Sequence, residues 1–412
     1  MSTRREFITG VLGSTAAVVA GGLLPSSRVL GANDRVRFGL IGAGGRGLED
    51  FRAALKAPNV EAVAVADLYT RRLDQAKEIA PQAKTYQDFR RLLDDKTIDA
   101  VLIATPQHQH ALQFVPAIQA GKDVYQEKTM AFNPDHARRM RQAFEGSSRV
   151  VQIGSQATSG PAVAAVRTYL TDEHMGVVTQ LHTHHYRNAP YGGWKRPIPA
   201  DCDAQHVDWS TFQGEAPPHD FDPNRFMNWR FFWEYSGGNV FENMVHQVIF
   251  WYKILDLQIP RSVTMGGGNY LSPDMEVPDT YDVSMDHGNL LFTWNSMFGN
   301  RYYGEGSEML LGTKGAIFRD EHERVRYEAE SRKRSDGATA DAATTTAAPD
   351  IVGGSDATDA HLQNFFECVR SRKLPNCPFE LGYRSAIACR MALTAYREGR
   401  RVTWDAEREE IV

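Results

Sequence analysis

Through the first third of the chain, fully apolar runs alternate with amphipathic ones. Residues 36–41, 60–66, 98–104 and 150–153 are apolar runs, and Asp123-Val124-Tyr125-Gln126 is another. The segments between them carry apolar positions at helical spacing. The spacing predicts helices closing over 53–57 and spanning 70–79, 89–93 and 107–120, the last ended by Gly121. Asn133-Pro134-Asp135 starts another, with a capping side chain and Pro in the first turn. Continuous apolar strands alternating with helices imply a parallel sheet covered on both faces, here built from five strands.

After residue 153 the period changes. A helix is expected over 161–170, and residues 177–186 alternate apolar and polar as a half-buried strand does. Residues 187–238 read as one long aromatic loop, and 240–255 as a helix. Strand-like runs recur at 262–265, 281–287, 290–294, 309–312 and 315–318, which predicts an antiparallel sheet with one face solvated or covered by a partner. Residues 331–357 are dominated by Ala, Thr, Asp and Ser without apolar periodicity and read as a mobile loop. Helices over 360–371 and 385–398 close the chain, and no internal repeat is present.

Composition narrows the class. At 412 residues with 42% hydrophobic side chains, the chain buries a large core without needing disulfides or a structural metal. Its 46 basic and 51 acidic side chains leave a net charge of −5, which excludes a generally basic nucleic-acid binder. The four cysteines, Cys202, Cys368, Cys377 and Cys389, form no C-x-x-C pair and match no zinc spacing, so buried free thiols are expected. At the N-terminus, Arg4-Arg5-Glu6-Phe7-Ile8 precedes a mild Gly- and Ala-rich apolar run over 10–24. This resembles a twin-arginine export signal. The run is about 15 residues, short of the ~20 that a membrane span needs. Small residues near Gly31-Ala32 suit cleavage. The expectation is a signal segment over 1–32, folded export to the periplasm, and no stable membrane span after processing.

Three constellations carry chemistry. Gly42-Ala43-Gly44-Gly45-Arg46-Gly47 fits G-x-G-x-x-G at the end of a strand and the start of a helix, with Asp67 ending the second strand. In that context Gly42 permits the tight turn, Gly44 lets backbone approach a pyrophosphate, and Gly47 allows close helix packing. Asp67 would accept hydrogen bonds from the adenosine ribose and repel a 2′-phosphate, favouring NAD over NADP; Arg71 and Arg72 act in the opposite sense. Glu127-Lys128-Thr129 follows the next-to-last parallel strand, at the carboxyl edge where such sheets bind ligands. A lysine there can hold a substrate hydroxyl, or it is a solvated surface residue. Glu242 and His246 stand at i and i+4 of a helix, a spacing that suits a general base with its carboxylate, two metal ligands or a solvated ion pair. His182 and His184 share one face of a strand, but no Cys or carboxylate joins them at ligand spacing, so no metal is assigned. Trp194, Trp209, Trp229, Phe231, Phe232, Trp233 and Tyr235 suit either the apolar faces of pyranose rings or core packing under the loop.

Taken together, residues 35–405 resemble the Gfo/Idh/MocA family, named for glucose–fructose oxidoreductase and inositol dehydrogenase. The resemblance rests on the glycine loop, Thr105-Pro106-Gln107-His108-Gln109-His110, Ala120-Gly121-Lys122-Asp123-Val124, Glu127-Lys128-Thr129 and the segment from Gly237 to His246. It implies an α/β fold with an N-terminal doubly wound parallel Rossmann sheet over 33–153. A C-terminal α/β domain over 154–412, with an open, mainly antiparallel sheet, would serve as subunit contact in a homodimer or homotetramer. The family's catalytic Lys falls on Lys128 and its catalytic His on His246; Glu242 stands where the family usually has Asp, and Thr129 where it usually has Pro. Cofactor-binding roles fall on Gly42, Gly44, Gly45, Arg46, Gly47, Asp67, Thr105, Pro106, His110 and Glu127. The implied activity is NAD-dependent hydride transfer at a carbinol carbon of a sugar or polyol, with tightly held nicotinamide. The alternative is glycoside hydrolysis through transient oxidation, elimination and re-reduction; a sugar-binding sensor with an inactive nucleotide domain is a third reading, opposed by the joint presence of Lys128 and His246.

Overall fold

The computed structural model describes residues 34–301, 306–330 and 357–412. The expected signal segment and the expected mobile loop up to residue 356 lie outside these residues. The first sheet has six parallel strands: β1 Val36–Ile41, β2 Val60–Ala66, β3 Lys84–Tyr86, β4 Ala100–Ile103, β5 Asp123–Glu127 and β6 Val151–Gly154. Their order is β3-β2-β1-β4-β5-β6. The chain winds outward from β1 in both directions, so a crevice opens at the carboxyl ends of β1 and β4. The sixth strand, β3, is three residues long and partly exposed, too short for a periodic signal.

The second sheet has nine strands: β7 Val178–His185, β8 Ser262–Gly268, β9 Thr280–Asp286, β10 Leu291–Met297, β11 Gly306–Gly312, β12 Gly315–Asp320, β13 Val325–Ala329, β14 Val402–Asp405 and β15 Glu410–Ile411. Their order is β13-β12-β11-β7-β10-β9-β8-β14-β15. All pairs are antiparallel except β7 with β10, where Leu181 faces Phe292 and Thr183 faces Trp294. The sheet is therefore mixed. A parallel pair needs a long crossover, and the segment between β7 and β10 supplies one through the helix Val245–Leu255. On one face Leu181, Val283, Met285, Phe292 and Trp294 are buried; the helix Phe379–Glu398 packs on β8 and against the helix Val245–Leu255, whose Gln247 accepts from Trp294 Nε1 at 2.7 Å. The alternate positions, among them Gln180, Asp282, Ser284, Thr293 and Asn295, are half or fully exposed.

The segment 187–238 is not one irregular loop. It holds the short helices Trp209–Gln213 and Pro223–Met227, with Asp208 capping the first at Thr211 N and Asp222 capping the second at Asn224 N and Arg225 N. Helices of five residues are started by their caps and carry no period to read. Six of the segment's eleven aromatics, Phe212, Phe226, Trp229, Phe231, Phe232 and Tyr235, are buried in the main core.

The helix Thr358–Ser371 returns to the first sheet. Leu362, Phe365, Phe366 and Val369 share a buried cluster with Val36, Phe38, Leu40 and Phe51. The Phe38 and Phe366 rings lie 5.3 Å apart. One side of the nucleotide-binding sheet is thus sealed by residues over 300 positions away in the chain. Truncating fully buried Phe366 to Ala should cost about 3–5 kcal/mol in denaturant unfolding. A loss under about 1 kcal/mol would mean that this helix does not seal the core.

Candidate functional site

At the carboxyl end of β1 the chain turns into the helix Gly45–Lys56. Gly42 has φ of 92°, and a Cβ there would stand 2.8 Å from the Ala104 carbonyl oxygen. A Cβ on Gly47 would stand 1.9 Å from the Gly42 carbonyl oxygen, so only glycine lets the helix start seat against the strand end. A Cβ on Gly45 would meet nothing within 4 Å. No side chain caps this helix start, which leaves its first N–H groups for an anion. They face a cavity of about 580 Å³ whose lining runs from Asp67 past Gly44 and Gly45 to Lys128, Glu242 and His246. A dinucleotide's pyrophosphate fits this open glycine backbone.

Asp67 braces the loop from the other side. Its Oδ2 accepts from Ala43 N at 2.7 Å and its Oδ1 from Tyr69 N at 2.9 Å. Burial raises its carboxyl, while Arg72 and these two amides pull the other way. Each oxygen keeps a second lone pair for a ribose hydroxyl. Arg71 turns away to Asp201 at 2.9 Å. Arg72 lines the cavity, 3.8 Å from Asp67 Oδ1, with its guanidinium 5.1 Å over the Phe226 ring.

Glu242 is the centre of the far end. It lies in a π-helical turn, Val240–Met244, that precedes the helix Val245–Leu255. Lys128 Nζ donates to its Oε2 at 2.9 Å, and Gln107 Nε2 donates to its Oε1 at 2.7 Å. Arg230 Nε stands 3.2 Å from the same Oε1. Burial alone would raise this carboxyl, but Arg230 and Lys128 outweigh it and hold it at about 2. The π turn breaks the simple i, i+4 relation expected of Glu242 and His246. The two line one cavity, yet Glu242 turns to Lys128, Gln107 and Arg230, and no hydrogen bond joins it to His246. Among the described residues, His246 has no hydrogen-bond partner. Burial lowers its pKa well below the usual imidazole value, and the charges of Lys128 and Arg46 push the same way. The ring is neutral at pH 7.

Other expected site residues divide. Thr105 and Pro106 line the cavity, with Thr105 Oγ1 donating to Gln113 Oε1 at 2.7 Å. Glu127 also lines it; Gln156 Nε2 donates to its Oε1 at 2.8 Å and Lys128 N to its Oε2 at 3.2 Å. The Arg46 guanidinium is engaged by carboxylates rather than left open: Asp50 at 2.8 Å, Glu49 at 3.4 Å and Glu127 at 3.4 Å. His110 does not line the cavity. It is fully buried behind it, with Nδ1 2.7 Å from the Thr129 carbonyl and Nε2 2.9 Å from the Thr105 carbonyl. Neutral imidazole donates to only one of these. His182 is engaged by Thr293 and Gln180, and among the described residues no group of three His, Cys, Asp or Glu could hold a metal. No described helix is long and apolar enough to cross a membrane.

Three residues escaped the sequence reading: Gln107, Arg230 and Thr129. Gln107 lies inside the Thr105–His110 motif and Arg230 inside the aromatic cluster, and neither has a local signal of its partner. Thr129 stands in the sequence only as a replacement for Pro. The Lys128–Thr129 peptide is cis. The Thr129 hydroxyl is fully buried and donates to the Phe241 carbonyl at 2.8 Å, which stitches the lysine loop to the turn that carries Glu242.

Thr129→Val, which keeps shape and removes that donor, should lower turnover about tenfold and leave cofactor affinity within twofold; Thr129→Ser should recover most of the loss. Unchanged turnover in the Val variant would show that the link does not position Glu242. At the other end, NAD should bind at least about tenfold tighter than NADP, since a close like-charge contact costs several kcal/mol. Asp67→Asn should narrow that gap because Arg72 remains. Equal affinities in the unaltered protein would remove Asp67 from the discrimination.

Comparisons with known proteins bear on the same residues. Residues 36–155 match the oxidoreductase family's NAD-binding Rossmann fold, and residues 216–404 match its C-terminal alpha/beta domain. A glycosyl hydrolase family 109 protein of Stenotrophomonas maltophilia is 39% identical over 129 residues, 29% of this chain and 28% of that protein. An inositol 2-dehydrogenase of Salmonella typhimurium is 28% identical over 165 residues, 39% of this chain and 49% of that protein. The chain thus spans less than half the length of these curated relatives. A levoglucosan dehydrogenase solved with NADH and levoglucosan covers 90% of this chain and 99% of its own, with a TM-score of 0.68 at 16% identity, a likeness of fold. On the two matched domains and the uncapped glycine loop, the chain belongs to the Gfo/Idh/MocA oxidoreductase family, with an NAD-binding Rossmann domain at its N-terminal side.

Proposed function

We propose that the protein is an NAD-dependent dehydrogenase of a sugar or polyol, acting at a ring carbinol. One observation carries this reading: Lys128, Glu242 and a neutral His246, which has no hydrogen-bond partner among the described residues, line the same cavity as the uncapped glycine loop. Gly44, Gly45, Asp67, Thr105, Pro106 and Glu127 would hold the cofactor. When bound, NAD⁺ supplies the hydride acceptor. The residues of the chain do the rest. His246 takes the hydroxyl proton on an unprotonated ring nitrogen. Lys128 donates a hydrogen bond to the hydroxyl oxygen and stabilises the negative charge that grows there. Glu242 keeps Lys128 oriented, and Gln107 and Arg230 keep Glu242 in place. The reverse reduction runs through the same groups, with His246 returning the proton. Inositol and levoglucosan, named for the relatives above, belong to the substrate class proposed.

The second reading, hydrolysis of a glycoside with NAD recycled, is favoured by the 39% identity to a glycosyl hydrolase family 109 protein, which reaches only 29% of this chain. The two readings share the first hydride step and differ in net outcome. We further infer folded export to the periplasm from Arg4-Arg5-Glu6-Phe7-Ile8, and self-association through the exposed face of the second sheet. Export in the folded state would let the cofactor travel inside the protein.

A panel of sugars, polyols and aryl glycosides should give NADH from at least one free polyol or sugar, without release of an aglycone. Release of aglycone with no net NADH would favour hydrolysis instead. On the active substrate, Lys128→Ala and His246→Ala should each cut kcat about 10²–10⁴-fold. Cofactor affinity should stay within threefold; turnover like that of the unaltered protein would remove the residue from the chemistry.

A further inference from the structure

A second cavity, of about 250 Å³, lies on the other side of His246 and shares that residue and Asn243 with the cofactor cavity. Most of its remaining wall comes from the second sheet and the turn that follows β12, with His185, Glu308, Arg319, Asp320, Glu321 and Glu323; Gln247 of the helix and Ala157 from the turn after β6 close it. A carbinol whose hydroxyl yields its proton to His246 and whose carbon yields its hydride toward the cofactor side sits at the junction. The rest of the molecule then has this cavity to enter.

The charges of that lining are unequal. Arg319 is its one cation among the described residues, and it is fully engaged. Glu308 Oε1 stands 2.5 Å from it, Glu323 pairs with it, and its guanidinium lies 3.8 Å over the Phe250 ring. Glu308 also accepts from Trp251 Nε1 at 2.7 Å. Arg319 therefore stands inside the wall between two carboxylates, Glu308 and Glu323. With Asp320 and Glu321 the lining holds four carboxylates against this one cation, and the contacts of those two include exposed groups outside the lining: Arg324 at 2.6 Å from Asp320, and Arg301 and His322, each at 3.7 Å from Glu321. The ring of His185 has no hydrogen-bond partner among the described residues; burial and Arg187 hold it at about 3, so it brings no positive charge at pH 7. Among the described residues the lining carries four carboxylates and one cation, so it suits hydroxyls and ammonium groups better than an anion.

We propose that this cavity is the subsite for the body of the substrate and that it selects neutral sugars and amino sugars over sugar acids and sugar phosphates. The inference rests on the reading of Lys128 and His246 as the hydride-transfer site and deepens it. The selection is electrostatic. It acts at separations where Coulomb energies in a partly desolvated site decide between partners, and it weakens with salt.

The test uses the full chain and matched sets of one ring: glucose, glucosamine and glucuronate, with the galacto and manno counterparts. Both kcat/KM with NAD⁺ and calorimetric Kd in the presence of NADH are read at pH 7. In every set that binds, the uronate should be at least fivefold worse than the neutral sugar, and the amino sugar equal to it or better. Glu321→Lys and 0.5 M NaCl should each narrow the uronate gap at least threefold. A gap below fivefold, or one that neither change narrows, overturns the proposal. If no member yields NADH while the same order holds in Kd, the dehydrogenase reading fails and the charge selection stands.

Discussion

One buried carboxylate organises the functional half of this molecule. Glu242 is 7% exposed and must stay ionised in a wall that excludes most water. That is tolerable only because Lys128, Gln107 and Arg230 meet it from three directions. Lys128 comes from the loop after β5, Gln107 from the turn after β4, and Arg230 from the segment that covers the cavity. The constraint therefore ties the nucleotide-binding sheet, the cover and the second domain into one site. Removing any partner leaves the others with an imperfectly compensated charge. It also decides what His246 is. With Glu242 fully engaged elsewhere, no described residue pairs the imidazole, and burial beside Lys128 keeps it unprotonated and ready to accept a proton.

The supports of that carboxylate are themselves local and specific. The π turn Val240–Met244 displaces Glu242 from the regular helical register, and the Thr129 hydroxyl takes up the Phe241 carbonyl next to it. At the wall of the cofactor cavity, Arg46, Asp50, Glu49 and Glu127 form a second charged group in which one guanidinium faces three carboxylates. Burial pushes the Asp50 carboxyl far above its usual range, with Glu127 beside it acting in the same direction. That group holds Glu127, and with it the start of the lysine loop, under the cavity floor.

Much of the fold was legible in the sequence because its signals are short-range. The apolar runs of β1, β2, β4, β5 and β6, the glycine loop and the caps all act within a few residues. What was not legible depends on pairings across long stretches of chain. Gln107 and Glu242 are 135 residues apart, and nothing near either of them announces the other. The parallel pairing of β7 with β10 follows from a crossover rather than from either strand's pattern, and β3 and β15 are too short to show one. The helix Thr358–Ser371 has an ordinary amphipathic sequence, and only the folded chain shows that its apolar face completes the first sheet. The site itself was half visible. Lys128, Glu242 and His246 could be named from motif and spacing, but the direction in which Glu242 points could not. The i, i+4 relation with His246 invited the wrong pairing.

The central claim is that Glu242 serves Lys128 and leaves His246 neutral, so the most direct measurement is the protonation state of His246. Histidine ring resonances of ¹⁵N-labelled protein, assigned by comparison with His246→Asn, can be followed from pH 8 to pH 5. The account predicts a ring that is still neutral where an imidazole in water already carries its proton. A ring that gains its proton near 6.5, as an imidazole in water does, would mean that His246 is neither buried nor placed beside Lys128 as described.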